Sequence, residues 1–342
     1  QDNVFLIFFC YDNEENKLFK GYIMFNYENA PYIEIKDYKA PDGINSIYIP
    51  MKDGKKIRTM YWKNVDTKKT NKGTVLLQQG HNEFIEKYFE TIQEFLDRNF
   101  NVICFDWRGQ GMSDRMLLDE NKQYIQNFNI HESDLNFIYT EIIQKYLPGP
   151  LIGIGHSMGG CILLNSLLEN NIKYKAMILS APMLGFRGEK ILIWFVKLTN
   201  MFLKNSSYFI FSKPNMGLET EFKDNELTSD PDRYFRTLKL VRKRPTIRLW
   251  GVTNAWVNAA MNAIKKIRKK INKCDIEDYI LVLNSLDDKV VSPVEINKIC
   301  KKLKNSRVIE FKQAKHEIFM EKDVYRKIMW REIDNYFHKL GI

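Results

Sequence analysis

The sequence of 342 residues is poor in several features that mark special classes of protein. Its five cysteines are odd in number, far apart and without a CxxC pair, which excludes a disulfide framework and a zinc ribbon. They indicate buried free thiols in a reducing compartment. No apolar run approaches the ~20 residues that span a bilayer. The chain begins with Gln, which is compatible with a removed N-terminal signal or anchor. We therefore expect a cytoplasmic or peripherally membrane-associated protein.

What is present is the composition of a globular protein with an excess of positive charge. Hydrophobic residues make 44% and charged residues 27%, which excludes a disordered tail and a collagen-like chain. The formal charge is +10, but residues 184–275 alone contain 19 Lys and Arg against 8 Asp and Glu. The rest of the chain is close to neutral, and no nucleic-acid-binding motif accompanies the basic segment. We expect no nucleic-acid partner and favour an anionic membrane surface.

Apolar strands and amphipathic helices alternate along most of the chain. The predicted strands span residues 46–51, 56–62, 74–79, 101–105, 151–154, 175–180, 279–283 and 307–312, the first two as a hairpin. The predicted helices span residues 86–98, 131–146, 158–169, 293–303 and 324–340. This alternation predicts an α/β fold with a mostly parallel central sheet covered by helices on both faces.

The alternation defines four predicted segments of the chain. Residues 184–275 contain helical patterns and no convincing strand, so we interpret them as a helical cap inserted over the sheet. Residues 41–183 and 276–342 are then the two parts of the core. Residues 1–40 do not follow the pattern, and we interpret them as an N-terminal extension of added strands or a wrapping arm.

The strongest chemical signal is the segment Gly-His-Ser-Met-Gly-Gly at residues 155–160. It contains a G-x-S-x-G pattern between an apolar strand and a helix. A nucleophile on such a sharp turn has strained backbone dihedrals, and side chains two residues to either side would collide, which explains the glycines. The helix N-terminus behind the serine favours developing negative charge. We predict that Ser157 is a nucleophile; the alternative is a serine that only forms a turn.

A nucleophilic serine needs a base and an acid. Of the five histidines, only His316 follows a late strand in a short loop, at the sheet edge where the predicted strand ends converge on Ser157. The orienting carboxylate is Asp287 or Asp288, and the sequence D-K-V-V favours Asp288. The order Ser157, Asp288, His316 is that of α/β hydrolases.

An oxyanion intermediate needs two backbone N–H groups. One is expected from Met158, directly after the nucleophile, and the other from His81, in the loop after strand 74–79. In the glycine-rich loop 106–113, we expect Arg108 and Ser113 to hold the loop by hydrogen bonds rather than to act on substrate. This chemistry needs no metal and no organic cofactor.

These stretches resemble one branch of the α/β hydrolases. The shared segments are Q-G-H-N-E-F-I-E-K-Y (79–88), D-W-R-G-Q-G-M-S (106–113), G-H-S-M-G-G (155–160), N-E-L-T-S-D-P-D-R-Y (225–234), D-D-K-V-V (287–291) and A-K-H-E-I-F-M-E-K-D-V-Y-R (314–326). The chain is similar to the lysophospholipase and monoacylglycerol lipase branch, and its motifs are nearest to the bacterial lysophospholipase type. Gln79 replaces a common His, Ser285 replaces a usual Gly, and the first 40 residues have no counterpart.

The resemblance implies an α/β-hydrolase fold and hydrolysis of the ester bond of a single-acyl lipid, either a lysophospholipid or a monoacylglycerol. Two alternatives stay open. One is a broad-specificity carboxylesterase or a peptidase with the same catalytic residues. The other is a non-catalytic lipid-binding module, against which the intact set of Ser157, Asp288 and His316 argues.

The predicted cap contains two segments that suit a lipid. Residues 191–203 are strongly apolar, and a later helix carries an apolar stripe beside a basic run at 265–270. We predict substrate contacts from Trp194, Phe195, Phe202 and Trp256. The apolar segment is either an acyl-chain wall that also enters a lipid interface or a helix buried against the core. The basic run is either a solvated face or a surface that attracts anionic lipid.

Overall fold

A central sheet of nine strands organises the computed structural model of this chain, in the order β13-β12-β10-β9-β6-β7-β5-β4-β3. The structure describes residues 6–12, 17–23, 27–64, 70–147, 149–212, 221–272 and 279–342. The strands are β1 Leu6–Asp12, β2 Lys17–Ile23, β3 Glu28–Asn29, β4 Asn45–Pro50, β5 Lys56–Trp62, β6 Thr74–Gln78, β7 Asn101–Phe105, β8 Lys122–Gln123, β9 Leu151–His156, β10 Ala176–Ser180, β11 Gly251–Val252, β12 Ile280–Ser285 and β13 Ser306–Phe311. The six neighbouring strands β13, β12, β10, β9, β6 and β7 run parallel to one another. The remaining strands β5, β4 and β3 each pair antiparallel with the strand before them in this order.

Helices cover both faces of this sheet, as predicted. They are α1 Phe89–Asp97, α2 Asn129–Ile138, α3 Gln144–Tyr146, α4 Met158–Leu168, α5 Glu189–Phe202, α6 Pro231–Lys243, α7 Asn254–Lys270, α8 Pro293–Cys300 and α9 Asp323–Lys339. Successive side chains of a strand point to opposite faces. In β7, Ile103 and Phe105 therefore join the apolar cluster under α2 and α4, whereas Val102 and Cys104 join the cluster under α1 and α9.

Local details differ from the sequence predictions. The helix predicted over 86–98 begins with a 3-10 turn, Ile85–Tyr88, and the helix predicted over 131–146 contains a π-helical segment, Tyr139–Ile143. The expectation of no strand in 184–275 is wrong, because Gly251–Val252 pairs in parallel with Lys122–Gln123. Two residues are too short to show the alternation by which a strand is recognised in a sequence.

The N-terminal extension contains a separate two-stranded hairpin and a later segment that packs on the core. Leu6–Asp12 and Lys17–Ile23 pair with each other, and Glu28–Asn29 pairs with β4 at the sheet edge. Ile33 and Tyr38 are buried in the apolar cluster of α1. Residues 1–5, 13–16 and 24–26 lie outside the described residues. The division of the chain into extension, core and cap stays a prediction.

The described residues between β10 and β12 form α5, α6 and α7. Helix α7 packs against α4 and α5, and α6 packs against the 3-10 turn Ile85–Tyr88. Arg233 of α6 pairs with Glu90 of α1 at 2.5 Å and with Asp323 of α9 at 2.8 Å. The segment is therefore joined to the core by both apolar contacts and ion pairs. None of the helices in the described ranges has the length and apolarity to cross a bilayer.

Three of the five cysteines support the expectation of free thiols. Cys104, Cys161 and Cys300 are free and buried. Burial raises the pKa of each of these thiols, which keeps them protonated and unreactive at neutral pH. Cys274 and the side chain of Cys10 lie outside the described residues.

A buried ion cluster fixes the edge of the core next to the glycine-rich loop. The fully buried Arg58 of β5 donates to Glu86 from Nη1 at 2.5 Å and from Nη2 at 2.8 Å, and from Nε to Asp106 at 2.7 Å. Asp106 also accepts the backbone N–H of Met112 at 2.7 Å. The cluster thus joins β5, the 3-10 turn and the loop after β7.

We expect Arg58→Met to lower the free energy of unfolding by about 3–5 kcal/mol, because it leaves two buried carboxylates without their counter-charge. Urea denaturation measures this loss. Lys56→Met is the matched control: it removes an exposed cation of the same strand that pairs with Glu28, and it is expected to change stability little. Equal losses in the two variants would contradict the assigned role of the Arg58 cluster.

Candidate active site

Ser157 lies on a sharp turn between β9 and α4, with φ 51° and ψ −114°. A positive φ is unfavourable for a residue with a Cβ, so the surrounding chain has to impose it. A Cβ on Gly155 would lie 2.7 Å from Gly160, and one on Gly159 would lie 2.6 Å from the carbonyl oxygens of Gln78 and Gln79. These glycines allow the close approach that holds the serine at the helix N-terminus.

His316 and Asp288 complete a continuous hydrogen-bonded chain with Ser157. The Nε2 atom of His316 lies 3.0 Å from Ser157 Oγ, and its Nδ1 atom lies 2.6 Å from Asp288 Oδ2. All three residues are buried. Asp288 Oδ1 accepts the backbone N–H groups of Val290 and Val291, at 2.7 and 3.0 Å, which orients the carboxylate. Asp287 is exposed.

Two of the three departures from the family pattern, Gln79 and Ser285, have structural explanations. Gln79 Nε2 donates to the Phe105 carbonyl at 3.0 Å and to Asp106 at 3.1 Å, so its side chain ties the end of β6 to the end of β7. Ser285 Oγ donates to backbone carbonyls in the loop that carries His316, one of them that of Lys315 at 2.5 Å. Both replacements brace loops of the site.

Two backbone amides beside Ser157 are available to an oxyanion. The N–H groups of His81 and Met158 donate to no acceptor among the described residues. Met158 is the first residue of α4, where N–H groups have no intrahelical partner. The loop of His81 lies close to the serine, since a Cβ on Gly80 would be 3.0 Å from Ser157 Cβ.

The imidazole of His81 is a half-buried, neutral group. Burial lowers its pKa to about 4, although Glu83 acts in the opposite direction. Its ring packs on Trp256, with ring centres 4.6 Å apart. Trp256, which was predicted to contact substrate, therefore packs against His81 and does not itself line the cavity at Ser157.

A buried charge cluster lies next to the nucleophile. Lys87 Nζ lies 2.6 Å from a carboxylate oxygen of Glu83 and 2.6 Å from one of Glu317. Glu83 also accepts the Gly80 backbone N–H at 2.6 Å and the Tyr88 hydroxyl at 2.9 Å. Burial acts to raise the pKa of Glu83, but the Lys87 ammonium, His156 and the Gly80 N–H together outweigh it and lower that pKa to about 2. This cluster links the oxyanion loop to the residue after His316.

The same cluster provides the one set of three possible metal ligands among the described residues, Glu83, His156 and Glu317. The Lys87 ammonium already bonds both carboxylates, so it holds the position that a cation would take. His156 directs Nδ1 toward the Ser180 carbonyl at 3.1 Å, and burial lowers its pKa to about 4. We therefore assign no metal to these residues.

Ser157 and His316 open into a cavity of about 210 Å³. One wall is the core, and the other comes from the predicted cap. The residues contributed by the cap are Leu227, Thr228, Arg233, Tyr234, Thr237, Leu238 and Arg248.

None of the four predicted substrate residues lines this cavity, and three of them belong to α5. Trp194 and Phe202 of α5 are more than half exposed, and Phe195 packs on Phe211 with ring centres 4.7 Å apart. The prediction that Trp194, Phe195 and Phe202 contact substrate in the site is not supported by these positions. An apolar sequence identifies a helix whose apolar face has to be buried, but it does not show which surface that face packs against.

The sequence reasoning missed several residues of the site. Glu83 and Lys87 have the i, i+4 spacing of an ion pair, a signal that was available. Asn82 and Arg248 lack such a pattern, because their segments are far apart in the chain. Asn82 bonds the backbone of Leu249, the residue after Arg248, through both side-chain atoms, at 2.7 and 2.9 Å. The expected roles of Arg108 and Ser113 are confirmed by their bonds to Asp134 and to the Asp106 carbonyl.

Comparison with known proteins agrees with this geometry. Residues 69–323, well over half of the chain, match the family model described as "Serine aminopeptidase, S33". The chain belongs to this family of α/β hydrolases.

The relatives and solved structures that resemble this chain are named for different activities. A probable lysophospholipase L2 of Haemophilus influenzae is 28% identical over 270 residues, covering 77% of this chain and 83% of that protein. Lysophospholipase L2 of Escherichia coli is 28% identical over 282 residues, covering 78% and 80%. A soluble variant of monoglyceride lipase from Saccharomyces cerevisiae, solved with a substrate analogue, has a similar fold, with TM-score 0.68, 20% identity and coverage of 91% and 100%.

Asp288 and Asp287 give a direct test of the hydrogen-bonded chain. We expect Asp288→Asn to lower kcat for ester hydrolysis by about 10,000-fold, because an amide no longer fixes the His316 tautomer or stabilises the imidazolium. Asp287→Asn removes an exposed carboxylate of the adjacent residue and is expected to leave kcat unchanged. Parallel kinetics of the two variants decide the assignment, and a larger loss in Asp287→Asn would refute it.

Proposed function

We propose that this chain is a serine hydrolase that cleaves the ester bond of single-acyl lipids through an acyl-enzyme intermediate. The observation that carries the proposal is the chain of bonds from Ser157 through His316 to Asp288, at 3.0 and 2.6 Å, at the base of a cavity. A nucleophile within reach of an oriented base is the arrangement that acyl transfer needs.

The proposed reaction proceeds in two transfers of the acyl group. Ser157 Oγ attacks the ester carbonyl while His316 Nε2 accepts its proton, and the backbone N–H groups of His81 and Met158 stabilise the oxyanion. The imidazolium then protonates the glycerol-containing alcohol, which leaves. Water enters, His316 removes its proton, and the fatty acid is released from Ser157 by the same route.

A lipid ester is favoured over a peptide by the charges of the cavity. An aminopeptidase has to bind the free ammonium of its substrate, which calls for an unpaired carboxylate. The cavity carboxylates of Glu83 and Glu317 are both paired with Lys87. The relatives named lysophospholipase and monoglyceride lipase point in the same direction. A broad carboxylesterase with the same catalytic residues is the alternative.

The test is a substrate panel of lysophospholipids, monoacylglycerols, short esters and aminoacyl amides, run on the wild-type chain and on Ser157→Ala. We expect hydrolysis of single-acyl lipids and labelling by a fluorophosphonate probe, both lost in Ser157→Ala. Labelling that survives this substitution would contradict the assigned nucleophile. Cleavage of aminoacyl amides without cleavage of lipids would establish the peptidase instead.

We also propose that the predicted cap contacts an anionic membrane through α5 and the segment after it. The exposed apolar side chains of this surface are Ile191, Trp194, Phe202, Ile210 and Phe211. The basic run of α7 contributes less than its sequence suggests, because Lys266, Arg268 and Lys270 are paired with glutamates. An exposed apolar surface at the edge of a basic segment suits the interface of a bilayer.

Vesicle co-sedimentation tests this contact. We expect binding to rise with the fraction of anionic lipid, to fall with salt, and to weaken in Trp194→Ser, because this substitution removes an exposed aromatic anchor. Val294→Ser, which removes an even more exposed apolar side chain from α8, is the control and is expected to bind as the wild type does. Binding that is absent, or equal in both variants, would contradict the proposed surface.

A further inference from the structure

Arg248 is an unpaired cation in the wall of the cavity that holds Ser157. Two other basic side chains line this cavity, and both are paired: Lys87 with two glutamates, and Arg233 with Glu90, Asp230 and Asp323. Within the described residues, no carboxylate lies within 4.0 Å of the Arg248 guanidinium. A partly buried guanidinium without a partner is costly for a fold to keep, which points to a ligand of opposite charge.

The position of Arg248 is fixed by its neighbours. It directly follows the 3-10 turn Pro245–Ile247, and its own backbone is extended, with φ −111° and ψ 140°. The side chains of Ile247 and Leu249 are almost completely buried. The adjacent Leu249 backbone is held from both sides by Asn82, the residue directly after His81. The backbone next to Arg248 is therefore tied to the oxyanion loop.

The electrostatic surroundings keep this cation available. Glu317 and Glu83 attract the guanidinium electrostatically but do not form an ion pair with it. Both carboxylates pair with the Lys87 ammonium instead. Burial lowers the pKa of the Arg248 guanidinium, yet an arginine stays protonated at neutral pH. A planar guanidinium offers a pair of parallel N–H donors, which match two oxygens of a phosphate group.

We infer that Arg248 binds the phosphate of the substrate's head group, and that this chain prefers lysophospholipids to monoacylglycerols. The inference rests on the proposed function. In a lysophospholipid the glycerol unit separates the ester carbonyl from the phosphodiester by a few bonds, so one cavity accommodates the carbonyl at Ser157 and the phosphate at Arg248. A monoacylglycerol carries a hydroxyl instead of the phosphate, so it has no negative charge to pair with Arg248.

The test compares palmitoyl lysophosphatidylcholine with monopalmitoylglycerol, which share one acyl chain. The choline head group leaves no net charge, so general attraction to a basic surface does not favour it. We expect Arg248→Met to lower the ratio of the two kcat/KM values, phospholipid over neutral lipid, by about 10-fold or more, the typical effect of losing a charge-assisted bidentate contact. Arg248→Lys, which keeps the charge but loses the planar fork, is expected to fall between.

Arg242→Met is the matched control, because it removes one positive charge from an exposed arginine of α6 that does not line the cavity. It is expected to leave the ratio unchanged. Equal loss of both activities in Arg248→Met, or an unchanged ratio, would overturn the head-group assignment and leave the proposed hydrolase intact. A wild-type chain that cleaves neither lipid would overturn both.

An inhibition measurement on the wild-type chain decides the question even where Arg248→Met fails to fold. With monopalmitoylglycerol as substrate, we expect glycerophosphocholine to inhibit competitively and glycerol not to inhibit at the same concentration. Inhibition by inorganic phosphate that equals or exceeds inhibition by glycerophosphocholine would indicate a site for free phosphate. That result would overturn the assignment of a lipid head group.

Discussion

The positive φ of Ser157 is the constraint on which the rest of the site depends. A serine pays for this conformation unless the chain on both sides prevents any other, and here β9 enters the turn while α4 leaves it at once. Gly155 and Gly159 permit close backbone contacts that a side chain would block, and Gly80 leaves room for the side chains of Glu83, His156 and Ser157. Because the loop of His81 lies against Ser157, the nucleophile and both amide donors form one rigid unit. The helix N-terminus adds its dipole at the same point.

Buried charges position the loops that surround this unit. Arg58 holds Asp106, which in turn holds the glycine-rich loop, and Lys87 joins the oxyanion loop to the loop of His316 through two glutamates. A buried ion pair contributes little net stability, but breaking it is expensive, so each pair strongly favours one arrangement of its loop. Arg248 differs because it has no such partner among the described residues, and that difference is the basis for assigning it to substrate.

The sequence predicted the elements whose signals are local. Strand alternation, the turn at Ser157 and the placement of Asp288 and His316 after late strands depend on residues a few positions apart. The eight longer strands of the central sheet agree with the predicted alternation, whereas the two-residue strands β8 and β11 were not predicted. The pairing of Asn82 with Leu249 across 167 positions leaves no local pattern. The apolar sequence of α5 predicted that this helix contacts an apolar partner but did not identify the partner. Trp194 and Phe202 are exposed, so they face the protein surface rather than the cavity. The 3-10 turn at 85–88 and the π-helical segment at 139–143 were not predicted either, because runs of four or five residues are too short to distinguish these helix types by their hydrophobic period.

The central claim is that Ser157 carries the acyl group of a single-acyl lipid during turnover. Rapid acid quenching after mixing with palmitoyl lysophosphatidylcholine, followed by peptide mapping in a mass spectrometer, tests it directly. The account predicts a palmitoyl adduct on the peptide that contains Ser157, formed within the first turnover and decaying as substrate is consumed. Turnover without an adduct, or an adduct on another residue, would contradict the account.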